Sequence, residues 1–100
     1  KALPGIRGTG GTAVAVDDEA ITEAQRDLAR EGVGVEPASA ASVAGLRKLR
    51  EEGRVDADED VVCLTTGHLL KDPDAAYEAG GDPEPVANST DAVLKHIGAK

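Results

Sequence analysis

One hundred residues allow at most a single domain. Nineteen acidic residues against eleven basic ones leave a net charge of −8, which opposes phosphate-backbone binding. No basic stripe with interleaved aromatics offsets it, so nucleic acid is not expected as a partner. No apolar run approaches the ~20 residues of a membrane span, no signal peptide is visible, and no membrane partner is expected.

The apolar share is 40%, but it contains 17 Ala beside 21 Val, Leu and Ile together, with no Phe, Trp or Met and Tyr77 as the single aromatic. Such a core is thin for an independent fold, although alanine lets helices pack closely. The opening KALPGIRGTGG lacks an initiator Met and reads as the tail of a preceding element. The expectation is that residues 1–100 are one carboxyl-terminal piece of a larger domain. Acidic side chains spread over helix faces and turns read as a solvated surface, and the composition also permits a salt-adapted source. Cys63, alone in an apolar run, is expected to be a small buried hydrophobe in a reducing, cytoplasmic setting.

In chain order, Gly8-Thr9-Gly10-Gly11 reads as a turn. A phosphate loop needs glycines between a strand and a helix, whereas these precede the β-branched run Thr12–Val16, a candidate strand. Asp17 or Asp18 caps a helix that Gly32 closes, with Ile21, Ala24, Gln25 and Leu28 on one face. Val33–Val35 is a second short strand stopped by Pro37. A helix follows from Ser39, with Val43, Leu46 and Leu49 recurring every three residues and Gly53 as its stop. Asp60–Thr65 is the strongest strand. Asp72-Pro73 caps and opens a short helix through Tyr77 that ends at Gly80-Gly81. Asn88-Ser89-Thr90 matches a glycosylation sequon but reads as a capping turn. The helix it opens carries Val93, Leu94 and Ile97 as a buried stripe and ends at Gly98. Strand, helix, strand, helix, strand points to an α/β fold of parallel strands with right-handed crossover helices.

Open α/β sheets bind ligands at the carboxyl edge of their strands, which directs attention to VVCLTTGHLLKDP, Val61 to Pro73. There a buried strand ends on Thr65, Thr66, Gly67 and His68. The second candidate is Glu36-Pro37 and the small residues through Ser42, where a ligand could approach a helix start or where capping and tight packing alone would suffice. Zinc is not expected, because no second His or Cys stands at ligand spacing from His68. No serine occupies a nucleophile elbow. Lys71, beside Asp72, reads as a surface or ion-pairing lysine more readily than as a covalent amine.

The phrases GGTAVAVDDEAITEAQRDLAREGVGVEPASAASVAGL and VVCLTTGHLLKDP, in that order and separation, resemble the carboxyl-terminal part of the threonine synthase family. The resemblance covers most of the chain from Gly10 to Pro73 and extends more weakly into PVANSTDAVLKHI. It implies pyridoxal phosphate as cofactor and the large domain of a fold-type II enzyme of the tryptophan synthase β type. The implied reaction converts O-phosphohomoserine and water to threonine and phosphate. In that family the motif threonine hydrogen-bonds the pyridine nitrogen of the cofactor, a role the resemblance implies for Thr66. Glu36 and the small residues after Pro37 are expected to line the pocket, with Gly67 in the turn and His68 behind it.

The chain departs from that pattern in two places: Leu69 stands where a second glycine is usual, and Pro4-Gly5 is expected to interrupt a helix. The cofactor-linking lysine and the phosphate loop have no matching motif here. No catalytic residue is therefore assigned, the chain alone is expected to be inactive, and a homo-oligomer is open. Two alternatives remain at this level. One is a sister enzyme of the same fold, such as cysteate synthase or a threonine or serine dehydratase. The other is an acidic α/β interaction module without chemistry.

Overall fold

The computed structural model describes residues 1–99. Helix α1 spans Ala2–Gly8, and the expected break at Pro4-Gly5 does not occur. Pro4 falls in the first turn, where backbone N–H groups lack intrahelical acceptors anyway, so its missing donor costs the helix nothing. The glycine cluster then forms a plain turn, with the Gly11 N–H donating to the Ile6 carbonyl at 2.8 Å.

Helix α2, Asp18–Arg30, begins where the Asp17 carboxylate accepts the Ala20 N–H at 2.8 Å and carries Asp18 and Glu19 in its first turn. Gly32, at φ +83°, turns the chain out of it. Helix α3, Pro37–Glu51, starts two residues before the expected Ser39, with Pro37 in its first turn and an extended Glu36 preceding it. Helix α4, Pro73–Gly80, is capped by Asp72, whose carboxylate accepts the Ala75 N–H at 3.1 Å. Helix α5, Thr90–His96, is capped by Ser89 through the Ala92 N–H at 3.2 Å. Each of these caps is a local bond between a short polar side chain and an amide three residues on, which explains why sequence places these boundaries well.

The core lies between α2 and α3. Ala24, Ala40 and Ala44 are buried there with Val35, and Val16, Ala20, Ile21, Leu28 and Val43 pack around them. Three alanines at the contact bring the helices close but bury little area, and no large side chain is fully buried among the described residues. Gln25 sits in this interface and donates its side-chain N–H to the Val35 carbonyl at 2.9 Å. At the rim Arg47 meets Asp27 at 2.9 Å, and Arg26 donates to the Ala79 carbonyl at 3.0 Å, tying α4 to α2.

The expected parallel strands do not form as a ladder within the described residues. Segments 12–16 and 60–65 are unpaired, and the one β-bridge is antiparallel, Val35 with His68. An extended segment becomes a strand only when a second one lies alongside to take its N–H and C=O groups. Here Val14 and Val16 of the first segment and Val62 and Leu64 of the second line one groove with Leu46 and Leu49 of α3, but no ladder hydrogen bond joins the two segments among the described residues. Val62 is 86% exposed and Leu64 75%. Cys63, expected buried, is half-buried. Val93, Leu94 and Ile97, expected as a buried stripe, are exposed. Periodicity gives a helix an apolar face, but burial needs an opposing surface.

The Cα radius of gyration is 18.0 Å, with extents of 59 × 29 × 19 Å. A compact 100-residue domain has about 13 Å. None of the helices is long and apolar enough to cross a membrane among the described residues.

Candidate functional site: the turn at Thr66 and the start of α3

The two segments singled out in the sequence meet. The Glu36 N–H donates to the Gly67 carbonyl at 3.0 Å, and the Leu69 N–H donates to the Gly34 carbonyl at 3.2 Å. Together they form the Val35–His68 bridge. A third bond comes from a side chain: the Gly67 N–H donates to Ser39 Oγ at 2.7 Å, with both residues buried. The Thr66-Gly67-His68 turn is thereby fastened to the first turn of α3.

Gly67 is required by close approach. A β-carbon there would collide with the Glu36 side chain. The Glu36 carboxylate lies 3.8 Å from Lys71 Nζ, with the carboxylate side chain 22% exposed and the lysine 66%. Lys71 is thus a surface ion-pair residue. His68 Nδ1 accepts the Leu70 N–H at 3.2 Å and caps the 3-10 turn Leu69–Lys71. That bond occupies one ring nitrogen locally, so His68 supports the turn that follows Gly67. Leu69 folds over Gly34, where a β-carbon would strike it. Leu69 and Gly34 are thus packed together.

Thr66 is exposed, and its hydroxyl makes no hydrogen bond among the described residues. A neutral donor–acceptor with free valence therefore stands beside a buried, tightly held glycine. Glu36, Gly67 and His68 all belong to the same junction. No group of three or more His, Cys, Asp or Glu residues able to hold a metal ion occurs among the described residues. In the sequence Ser39 stands only as an expected helix start and as one of the small residues after Pro37. Its role as acceptor for an amide 28 positions away has no local signal.

Comparison with known proteins shows the family to which the chain belongs. A family model described as pyridoxal-phosphate dependent enzyme matches residues 1–67, ending on the buried glycine. The chain is 57% identical over 101 residues to the threonine synthase of Methanosarcina acetivorans, covering 100% of this chain and 25% of that protein. It is 63% identical over 84 residues to the threonine synthase of Methanocaldococcus jannaschii, covering 83% and 21%. With the threonine synthase of Mycobacterium tuberculosis it shares 46% identity over 89 residues, covering 88% and 25%. The chain spans about a quarter of the length of these curated relatives. By its family match and these relatives, this chain belongs to the pyridoxal-phosphate-dependent enzymes.

Proposed function

We propose that this chain is the carboxyl-terminal part of a threonine synthase and supplies Thr66 as hydrogen-bond partner to the pyridine nitrogen of pyridoxal phosphate. The complete enzyme would convert O-phosphohomoserine and water to threonine and phosphate. The observation that carries the reading is the exposed Thr66 hydroxyl, without a hydrogen-bond partner among the described residues, beside a buried Gly67 clamped to α3. The identity to several threonine synthases supports the reaction class.

The residues present suit the cofactor's ring. When bound, pyridoxal phosphate supplies an electron sink whose strength depends on what meets its pyridine nitrogen. A neutral hydroxyl supports that nitrogen without the charge that would hold it protonated, which moderates electron withdrawal and suits eliminations and replacements along the substrate side chain. Glu36, fixed beside Gly67 and Lys71, walls the turn on one side. Gly67 allows the close packing of the turn on α3. His68 holds the following 3-10 turn. The covalent lysine, the phosphate loop and the substrate contacts belong to the rest of the enzyme, so the chain by itself is inactive.

The finer fold reading follows from the same premise. Segments 12–16 and 60–65 are parallel strands of a fold-type II large domain whose neighbouring strands come from the part of the enzyme this chain does not span. The exposed apolar side chains along 61–64 support this, and the extended shape weighs against a self-contained interaction module. A sister enzyme of the same fold would differ in the contacts to substrate phosphate.

Thr66→Val in the complete enzyme tests the assignment. It keeps the volume and removes the hydroxyl, and it should lower kcat by about tenfold or more and shift the cofactor absorbance maximum. Unchanged turnover with an unchanged spectrum would sink the role given to Thr66.

A further inference from the structure

We propose that Ser39 is the positioning residue for Thr66, a role that rests on the reading of Thr66 as the ring-nitrogen partner. The Gly67 nitrogen belongs to the peptide unit that joins Thr66 to Gly67. Its orientation sets ψ of Thr66 and, with it, the direction in which the Thr66 side chain leaves the backbone. Ser39 Oγ accepts the hydrogen of that nitrogen at 2.7 Å. The next peptide unit is held as well, because the Gly67 carbonyl accepts the Glu36 N–H at 3.0 Å.

Both bonds come from one place, the entry to α3, where the Ser39 N–H itself donates to the Glu36 carbonyl at 3.0 Å. Two rigid peptide planes are therefore pinned to one helix start, and the residue immediately before them is Thr66. The side chain that would meet the cofactor makes no hydrogen bond of its own among the described residues, so its aim is set through its backbone. Ser39 is 3% exposed and Gly67 is buried, which leaves little room for water to replace the lost acceptor. Without Ser39 Oγ the amide would stay buried and unpaired, a costly state, or the peptide would rotate and carry Thr66 with it.

The test compares Ser39→Ala, Thr66→Val and the double variant in the complete enzyme. Alanine favours the helix, so α3 should persist, and circular dichroism checks that it does. Three readouts decide the matter. Ser39→Ala should speed Gly67 amide exchange by about tenfold while α2 amides are unchanged. It should lower kcat by about tenfold, with KM changed less than about threefold, and shift the cofactor absorbance in the same direction as Thr66→Val. Added to Thr66→Val, it should reduce kcat by less than about twofold, because both changes remove the same contact.

Independent, multiplicative losses in the double variant would overturn the proposal, as would an unaltered Gly67 exchange rate. Should Thr66→Val leave the spectrum untouched, the ring-nitrogen reading fails by itself. The exchange measurement still decides whether Ser39 holds the turn.

Discussion

At the level of single residues, the junction between the Thr66 turn and α3 is defined by what glycine lacks. Position 67 has no side chain because the Glu36 carboxylate occupies the space a β-carbon would need. The obstacle is the far part of a flexible side chain, so Gly67→Ala should be accommodated by displacing Glu36 from Lys71, at a cost of about 1–3 kcal/mol. Glu36→Ala removes the obstacle. In that background the same Gly67→Ala change should cost less than about 0.5 kcal/mol, as read by denaturant unfolding of the complete enzyme. A cost that is equal in both backgrounds would mean that backbone geometry, not Glu36, dictates glycine here.

At the level of elements, the α2–α3 pair carries the chain's tertiary structure. Its contact is built from Ala24, Ala40 and Ala44, while Asp27 bridges Arg47 and Arg30 on the outside, each at 2.9 Å. The magnitudes rank these plainly. Exposed ion pairs contribute about 0.2–1 kcal/mol each and fade with salt, whereas a bulky residue forced between close helices costs about 1–3 kcal/mol. Ala40→Leu, at a fully buried position, should therefore lower the unfolding midpoint at any ionic strength. If it were neutral, the helices would have slack that the close alanine contact denies.

Element boundaries were largely legible in sequence, and the reason is local chemistry. Asp17, Asp72 and Ser89 cap helices with bonds spanning three residues. Pro4 was misleading because a proline in a first helical turn looks, from sequence, like one that breaks a helix. The apolar stripe of α5 was legible as a helix but not as an exposed one. The site was half legible. Thr66, Gly67 and His68 stood out as the end of an apolar run, and Glu36 as the corner before Pro37. Ser39 did not stand out, because a serine near a helix start normally serves its own helix.

For the whole molecule, the extended shape and the exposed run Val61, Val62 and Leu64 have a shared consequence. Unpaired extended backbone flanked by apolar side chains is a template for association. The isolated chain should bind a hydrophobic dye, self-associate as concentration rises, and show no saturable absorbance change on titration with pyridoxal phosphate. Val62→Lys with Leu64→Lys should suppress the self-association of the isolated chain and, if the proposed strand 60–65 is covered in the complete enzyme, prevent that enzyme from folding. Sedimentation of the chain and soluble yield of the enzyme are the measurements. A monomeric, dye-silent wild-type chain would contradict this account.

Sequence alone settled most helix boundaries, though not those of α1 or the first residue of α3, together with the acidic composition and the thin alanine-rich core, because each depends on neighbours within a few positions or on composition. Tertiary structure decided which extended segments find partners, that Gly67 is packed under Glu36, and that a serine on α3 holds the amide beside Thr66. These depend on residues about 30 positions apart being brought within hydrogen-bond range. That proximity arises because the chain after α3 returns to that helix's own start, and no local pattern encodes it.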